Sequence, residues 1–319
     1  MNCLKPASIY RLKSVIKMHS HENNLKKRKI KDILHFPISF ICSIVFNLFK
    51  DKEKEKYDNN LAIVAIFKNE GEYLKEWIEY HRIIGVTKFY LYNNESTDNY
   101  KAVLKPYIEN NIVELTDMPG KARQMDAYND CINKHKNDTK FLAVLDLDEF
   151  IFTKNNNALE IINSFFLSNK KAGGLTINWM IFGSSNKEKK EDGFVIERFK
   201  YRANDNFNKN QHIKSIVNPR RVLGFENPHY ACYLEGFKGY DINGKIVSGA
   251  LNDDFSSLNT IRINHYFTKS KEEFITKRNR GYADQNGLRD LKQFEEHDKN
   301  DIYDDSMNYY IQKLKTYEK

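Results

Sequence analysis

Between residues 61 and 151 the chain alternates short apolar runs with amphipathic stretches, and does so four times. Residues 61–67 form an unbroken apolar run, the signature of a strand buried on both faces. Residues 73–84 then place Leu74, Trp77, Ile78 and His81 on one helical face, and Gly85 supplies a stop. Residues 88–92 read as a second strand, followed by a helix carrying Tyr100, Val103, Leu104 and Ile108. Residues 112–115 give a third strand, and 120–134 a helix with Met125, Tyr128, Cys131 and Ile132 turned inward. The fourth apolar run, 141–151, follows. Strand and helix repeated in this way predict an α/β fold with a doubly wound, mostly parallel sheet.

The fourth run ends abruptly in Asp146, Asp148 and Glu149. Open α/β sheets keep their sites at the carboxyl ends of the strands, which is where these acids fall. In an extended chain alternate residues share a face, so Asp146 and Asp148 are expected on one side and Leu147 with Glu149 on the other. Two carboxylates on one face can hold a hard divalent cation that keeps water and substrate phosphate in its remaining positions.

Beyond residue 152 the regularity loosens. A helix is expected over 158–167, a strand over 174–182 closed by Gly183-Ser184-Ser185, and loops with short strands over 186–260. Ser270-Lys271-Glu272-Glu273 is a capping box that opens a helix running to Tyr282. The organisation read from this is a basic N-terminal region over 1–60, a nucleotide-binding half over 61–155, a less regular acceptor half of the same domain over 156–285, and a charged helical tail over 286–319.

The net charge of +8 is spread along the chain among plentiful acids, which favours contact with anionic surfaces or phosphates over a dedicated nucleic-acid protein. Cys3, Cys42, Cys131 and Cys232 have no paired spacing, so neither a disulfide framework nor a zinc cluster is expected. Residues 33–49 are apolar almost throughout, about seventeen residues, the lower bound for a membrane span. Lysines flank them on both sides. The expectation is attachment to a membrane surface through residues 26–56, at the cytoplasmic face of a bacterial inner membrane, with a single-pass span and a core helix as the other readings.

Several motifs in order carry a family resemblance. Residues 61–152 resemble the nucleotide-sugar domain of GT-A glycosyltransferases: Ala65-Ile66-Phe67-Lys68-Asn69-Glu70 is similar to the first strand and donor loop, and Asn93-Asn94-Glu95-Ser96-Thr97-Asp98 to the acidic turn after the second strand, with asparagines replacing both acids. Trp77-Ile78-Glu79-Tyr80-His81, Gln124 with Asn129 and Cys131, Asp146-Leu147-Asp148-Glu149-Phe150, Trp179 with Phe182-Gly183, Lys214-Ser215-Ile216-Val217 and Asn264-His265-Tyr266 together resemble glycosyltransferase family 92 and its bacterial relatives.

The resemblance implies a GT-A fold, a nucleotide-sugar donor of the UDP type, and a glycan or glycolipid acceptor. It implies Mn²⁺ or Mg²⁺ bridging Asp148 and the donor phosphates, Asp146 nearer the ribose or the metal, and His265 completing the coordination. Asn69, Glu70, Asn94, Gln124 and Asn129 are the donor-binding candidates. A planar amide, as in Asn94 or Gln124, can pair with the uracil edge as donor and acceptor together, while Glu70 contacts the nucleoside or caps the following helix. Lys214, His212, Lys277, Arg278 and Arg280 are candidates to neutralise the diphosphate. Trp179 offers an apolar platform for an acceptor sugar, and His229 is the other acceptor candidate. An inverting transfer needs a carboxylate to take the acceptor's proton; Glu149, Asp205, Glu226 and Glu235 are available, with Glu235 placed first.

Two other readings stay open. A nucleotidyltransferase would share the α/β half and the paired acids, but calls for a glycine-rich, basic phosphate loop where this chain has Lys68-Asn69-Glu70-Gly71. A non-enzymatic membrane-attached binding protein would make no use of Asp146 and Asp148.

Overall fold

A computed structural model describes residues 53–154, 157–234, 236–283 and 287–317. The first part runs β1 (Asn59–Phe67), α1 (Gly71–Ile83), β2 (Lys88–Asn93), α2 (Tyr100–Glu109), β3 (Val113–Asp117), α3 (Gln124–His135) and β4 (Thr139–Val144). It continues through β5 (Glu149–Thr153), α4 (Ala158–Ser168), β6 (Ala172–Ile181), α5 (Val195–Arg198), β7 (Tyr201–Arg202), β8 (Ile213–Val217), β9 (Val222–Phe225), β10 (Ala231–Tyr233), β11 (Lys238–Tyr240) and β12 (Ile246–Val247). Last come β13 (Ile261–His265), α6 (Lys271–Arg280), α7 (Lys292–His297), β14 (Ile302–Tyr303) and α8 (Asn308–Tyr317).

The expected α/β class is what forms. The main sheet has the order β12-β11-β6-β8-β4-β1-β2-β3, with β13 joining β6 and β5 at one end. Strands β1 to β4 are mutually parallel where they pair, and β8 is the antiparallel insert between β4 and β6. The unbroken apolar character of β1 follows from burial on both faces. Leu61, Ile63, Ala65 and Phe67 face a layer containing α1 and α2, whereas Ala62, Val64 and Ile66 face α3 through Ala127, Tyr128, Cys131 and Ile132.

The apolar face of α1 does more than fill the core. Trp77 Nε1 donates to Glu149 O (2.9 Å), Tyr80 OH donates to Ile151 O (2.8 Å), and His81 Nε2 accepts from Ile151 N (3.4 Å). These bonds satisfy the β5 backbone on the edge away from β13, where no strand among the described residues pairs with it. Gly85 ends the helix with φ +103°, as the sequence predicts.

The run 141–151 is not one strand. β4 ends at Val144, residues 145–148 form a turn closed by Glu149 N donating to Asp146 O (3.1 Å), and β5 departs to pair with β13. The alternation of faces therefore breaks at the acids. The residues read as a charged tail are helical at 308–317, and Met307, Tyr310, Ile311 and Leu314 are buried in the main core. The capping box at Ser270 is present, and Glu273 also pairs with Arg198 (2.8 Å). Among the described residues no helix is long and apolar enough to cross a membrane, and the apolar segment 33–49 lies outside them.

Candidate active site

A cavity of about 750 Å³ opens at the carboxyl ends of β1, β4 and β6, lined by Ile66 and Phe67, by the Asp146–Asp148 turn and by Trp179. The loops after β1 and β2 form one wall with Lys68, Glu70, Asn94 and Glu95. α6 and the segment after it add Lys277, Arg280 and Arg289 to the lining.

Each acid of the turn has its own cation. Asp146 accepts from Lys214 Nζ at Oδ2 (2.8 Å) and from Gln124 Nε2 at Oδ1 (2.7 Å). Asp148 Oδ2 is paired with Lys277 Nζ and lies 3.5 Å from His265 Nε2. Burial acts to raise both carboxyls, but Lys214 holds Asp146 below the usual range and Lys277 holds Asp148 well below it. Burial pulls Lys277 down to about 8 against the opposing pull of Asp148.

Glu149 is a correction to the sequence reading. Because the strand breaks, its side chain turns back toward Asp146: Oε2 accepts from Asp146 N (3.0 Å) and lies 3.3 Å from Lys214 Nζ. It is fully buried and does not line the cavity. Burial, reinforced by the charges of Asp146 and Asp148 and opposed by Lys214, pushes its carboxyl up to about 8.

Trp179 lies at the end of β6 among three imidazoles. Its ring stacks on His212 (4.9 Å between centroids, 20°) and meets His229 and His265 edge-on (5.1 and 4.2 Å). Burial lowers all three histidines, His229 to about 3, so the wall is neutral. His229 Nδ1 donates to Ile213 O (3.0 Å) and His212 Nδ1 to Lys209 O (3.1 Å), which leaves each Nε2 as an acceptor.

The loops after β1 and β2 are stitched together. Asn69 Oδ1 accepts from Thr97 N (2.7 Å), Asn69 N donates to Ser96 Oγ (2.9 Å), and Gly71 N donates to Asp98 Oδ2 (2.7 Å). A Cβ on Gly71 would stand 2.6 Å from Asn99 Oδ1 and 3.0 Å from Tyr100 N, so a larger residue here would push the second loop away. Glu70 makes no capping bond to α1; its carboxylate pairs with Arg280 of α6.

The expected residues thus sort by environment. Glu70, Asn94, Gln124, Asp146, Asp148, Trp179, His212, His229, His265, Lys277 and Arg280 line one cavity. Asn94 Nδ2 donates to Met118 O and Gly120 O (2.7 and 2.8 Å), and Gln124 Nε2 is spent on Tyr128 and Asp146, so these amides offer an oxygen and not a donor–acceptor pair. Asn69 is a loop-stitching residue outside the lining. Asn129 also stands outside it, bonding Phe225 N and O (2.7 and 3.0 Å) to tie α3 to β9. Lys214 is buried behind Asp146 and does not line the cavity, so its charge is directed to Asp146 and Glu149 and not to a diphosphate.

Arg278, Asp205 and Glu226 do not line the cavity either. Glu235 lies outside the described residues; its neighbour Leu234 bonds to Arg221 O (3.0 Å) and Phe237 packs beside Gly173, at the opposite end of the sheet from the cavity. Arg289, Tyr282, Phe267 and His297 were not legible as site residues, because they come from irregular or charged sequence with no period to place them.

For a divalent cation the fit is with two of the three expected ligands. Asp148 and His265 converge, and a carboxylate with an imidazole is a donor set such ions accept, leaving positions for water and phosphate. Asp146 is turned away to Lys214, and among the described residues no group of three or more His, Cys, Asp and Glu side chains is arranged to hold a metal ion.

The chain is 26% identical over 214 residues to galactan beta-1,4-galactosyltransferase GALS2 of Arabidopsis thaliana, covering 61% of this chain and 40% of that one. It is 23% identical over 141 residues to a glycosyltransferase family 92 protein of Oryza sativa subsp. japonica, covering 44% of this chain and 24% of the other. It therefore spans well under half the length of these relatives. Among solved structures, S. aureus TarS 1–349 in complex with UDP aligns over 50% of this chain and 47% of that one, with 10% identity and a TM-score of 0.34, too distant to carry an argument. The model of glycosyltransferase family 92 matches residues 63–246, more than half of the 319-residue chain, and the protein belongs to that family.

Proposed function

We propose that the protein transfers a sugar from a UDP-sugar donor to a glycan or lipid-linked saccharide, with inversion, and that it works at a membrane surface. The observation that carries this reading is the convergence of the Asp146–Asp148 turn, His265 and the Lys277–Arg280–Arg289 wall on one cavity of a family 92 chain. The relatives named as galactan galactosyltransferases support a glycan acceptor.

The nucleoside is assigned to the wall of stitched loops, where the Asn94 oxygen can accept the imide N–H of uracil. The diphosphate is assigned to the part of the lining where Lys277, Arg280 and Arg289 supply positive charge as the leaving phosphate gains negative charge. Mn²⁺ or Mg²⁺, when bound, would be held by Asp148 and His265 and would stabilise the same charge. Trp179 is the platform for the acceptor sugar, and Nε2 of His212 and of His229 can accept a hydrogen bond from its hydroxyl.

The loop after β1 speaks against a nucleotidyltransferase. Its amides at Asn69 and Gly71 are bonded to Ser96 and Asp98, so they cannot cradle a phosphate.

The test is thermal unfolding with UDP-, GDP- and CMP-sugars, with and without Mn²⁺. A donor that binds the native state raises the midpoint. The expected result is a rise with UDP-sugars; no rise with any nucleotide sugar would overturn the reading.

A further inference from the structure

The Lys277 ammonium and a divalent cation are both drawn to the same oxygen. Lys277 Nζ is paired with Asp148 Oδ2, the atom that lies 3.5 Å from His265 Nε2. The ammonium also donates to Phe267 O (2.9 Å) and lies 4.0 Å over the Phe267 ring. These side chains are nearly closed to water, with Lys277 10%, Asp148 9% and His265 5% exposed. Charges this deep are poorly screened.

Asp148 therefore already has a cation of its own, and further positive charge is close. Lys269 is buried with its ammonium 3.9 Å over the Tyr73 ring, and Arg289 donates to Lys277 O (3.3 Å). A bound Mg²⁺ sits about 2.1 Å from a carboxylate oxygen and a bonded ammonium about 2.8 Å from it, so the two on Asp148 Oδ2 would stand at most about 5 Å apart. Like charges at that separation in a low dielectric repel strongly.

Exchange requires only the lysine side chain to turn. The start of α6 is held by the Ser270–Glu273 capping box and by Arg198, which donates to both oxygens of Glu273 (2.9 and 2.8 Å). Glu273 stands one turn before Lys277, so the backbone at Lys277 is fixed while its flexible stem is not. Lys277 lines the cavity together with Arg280 and Arg289.

We infer that Lys277 is a placeholder: it neutralises Asp148 until a divalent cation takes Asp148 and His265, and it is then released toward the donor phosphates. The inference rests on the glycosyltransferase reading only for those phosphates.

The experiment is calorimetric titration of Mn²⁺ alone into the full chain, comparing the unaltered protein with Lys277→Met, Lys277→Gln, Lys277→Arg and Arg280→Met, each checked for folding by thermal unfolding. The two uncharged variants at Lys277 are expected to bind Mn²⁺ at least about tenfold more tightly, the scale of one close charge pair, whereas Lys277→Arg and Arg280→Met gain no more than about threefold. Lys277→Arg keeps a cation beside Asp148, and Arg280→Met removes a neighbouring charge that is paired with Glu70 instead. Equal affinity in the uncharged variants and the unaltered chain, an equal gain in Arg280→Met, or no Mn²⁺ binding by any of the proteins would overturn the placeholder. With Mn²⁺ saturating, UDP should bind Lys277→Met at least about tenfold more weakly than the unaltered chain; unchanged UDP affinity would overturn the release toward phosphate. If UDP binds none of the proteins while the uncharged variants still gain Mn²⁺ affinity, the exchange at Asp148 stands and the donor reading falls.

Discussion

The ammonium of Lys214 lies 2.8 Å from Asp146 and 3.3 Å from Glu149, and it is almost fully buried. One cation thus faces both Asp146 of the turn and Glu149, the first residue of β5. Breaking a buried ion pair by removing one partner typically costs about 3–5 kcal/mol, because the other charge stays buried. Lys214→Met is expected to lose stability on that scale, measured by denaturant unfolding. Restoration of stability by the double variant Lys214→Met with Asp146→Asn would support the ion-pair account; no change in the single variant would refute it.

Asp148 is expected to matter for chemistry more than for folding. Asp148→Asn should lower UDP-sugar turnover at least about 100-fold, the scale of losing a transition-state charge stabiliser. In the unaltered protein, EDTA should reduce turnover and Mn²⁺ restore it. Neither treatment should move the residual rate of Asp148→Asn; a full response to Mn²⁺ in that variant would remove Asp148 from the cation site.

Glu76 gives a pH dependence away from the cavity. Its carboxyl is buried and accepts from Val195 N (2.7 Å) and Ile196 N (3.0 Å), and burial pushes it up to about 7. The folded protein then keeps a proton that the unfolded chain releases near pH 4.5. Stability must fall as pH rises from about 4.5 to about 7, by up to about 3 kcal/mol. The Glu76→Gln variant should lack this decline, so the gap between the two unfolding curves should shift across that window. Parallel curves would show that the carboxyl does not titrate there.

Asn129 tests the difference between a ligand contact and a structural one. Its amide bonds both backbone groups of Phe225, and Gly224 leaves no room for a Cβ, which would stand 2.4 Å from Asn129 Oδ1. Asn129→Ala should cost about 1–3 kcal/mol of stability from the unpaired backbone groups. The KM for donor should stay within about twofold, since the cost falls on packing; a large rise in KM with stability intact would return the residue to the nucleoside.

The sheet was legible because strands buried on both faces and helices with one apolar face leave different periods, as β1 and α1 do. The position of the acidic turn was legible for the same reason, being the end of an apolar run. Its geometry was not. Faces alternate only while a strand continues, and nothing in Leu145-Asp146-Leu147-Asp148 announces that β5 leaves to join β13, more than a hundred residues later. The choice among Lys277, Arg278 and Arg280 was likewise closed to sequence, since the packing angle of α6 decides which charges reach the cavity. Asn129 and Lys214 are polar residues in motif positions whose partners, Phe225 and Glu149, were not legible as such.

The bonds from Trp77, Tyr80 and His81 to β5 bear on how this domain can be dissected. The segment just after the acidic turn is held on one edge by a helix some seventy residues earlier and on the other by β13. A fragment ending near residue 155 would contain every residue of the turn and still lack one of its two supports, as well as Lys214, His265 and Lys277. Such a fragment should neither bind donor nor complement a defective full chain. Exchange of modules between relatives would have to carry the strands around the turn together with α1 and α6.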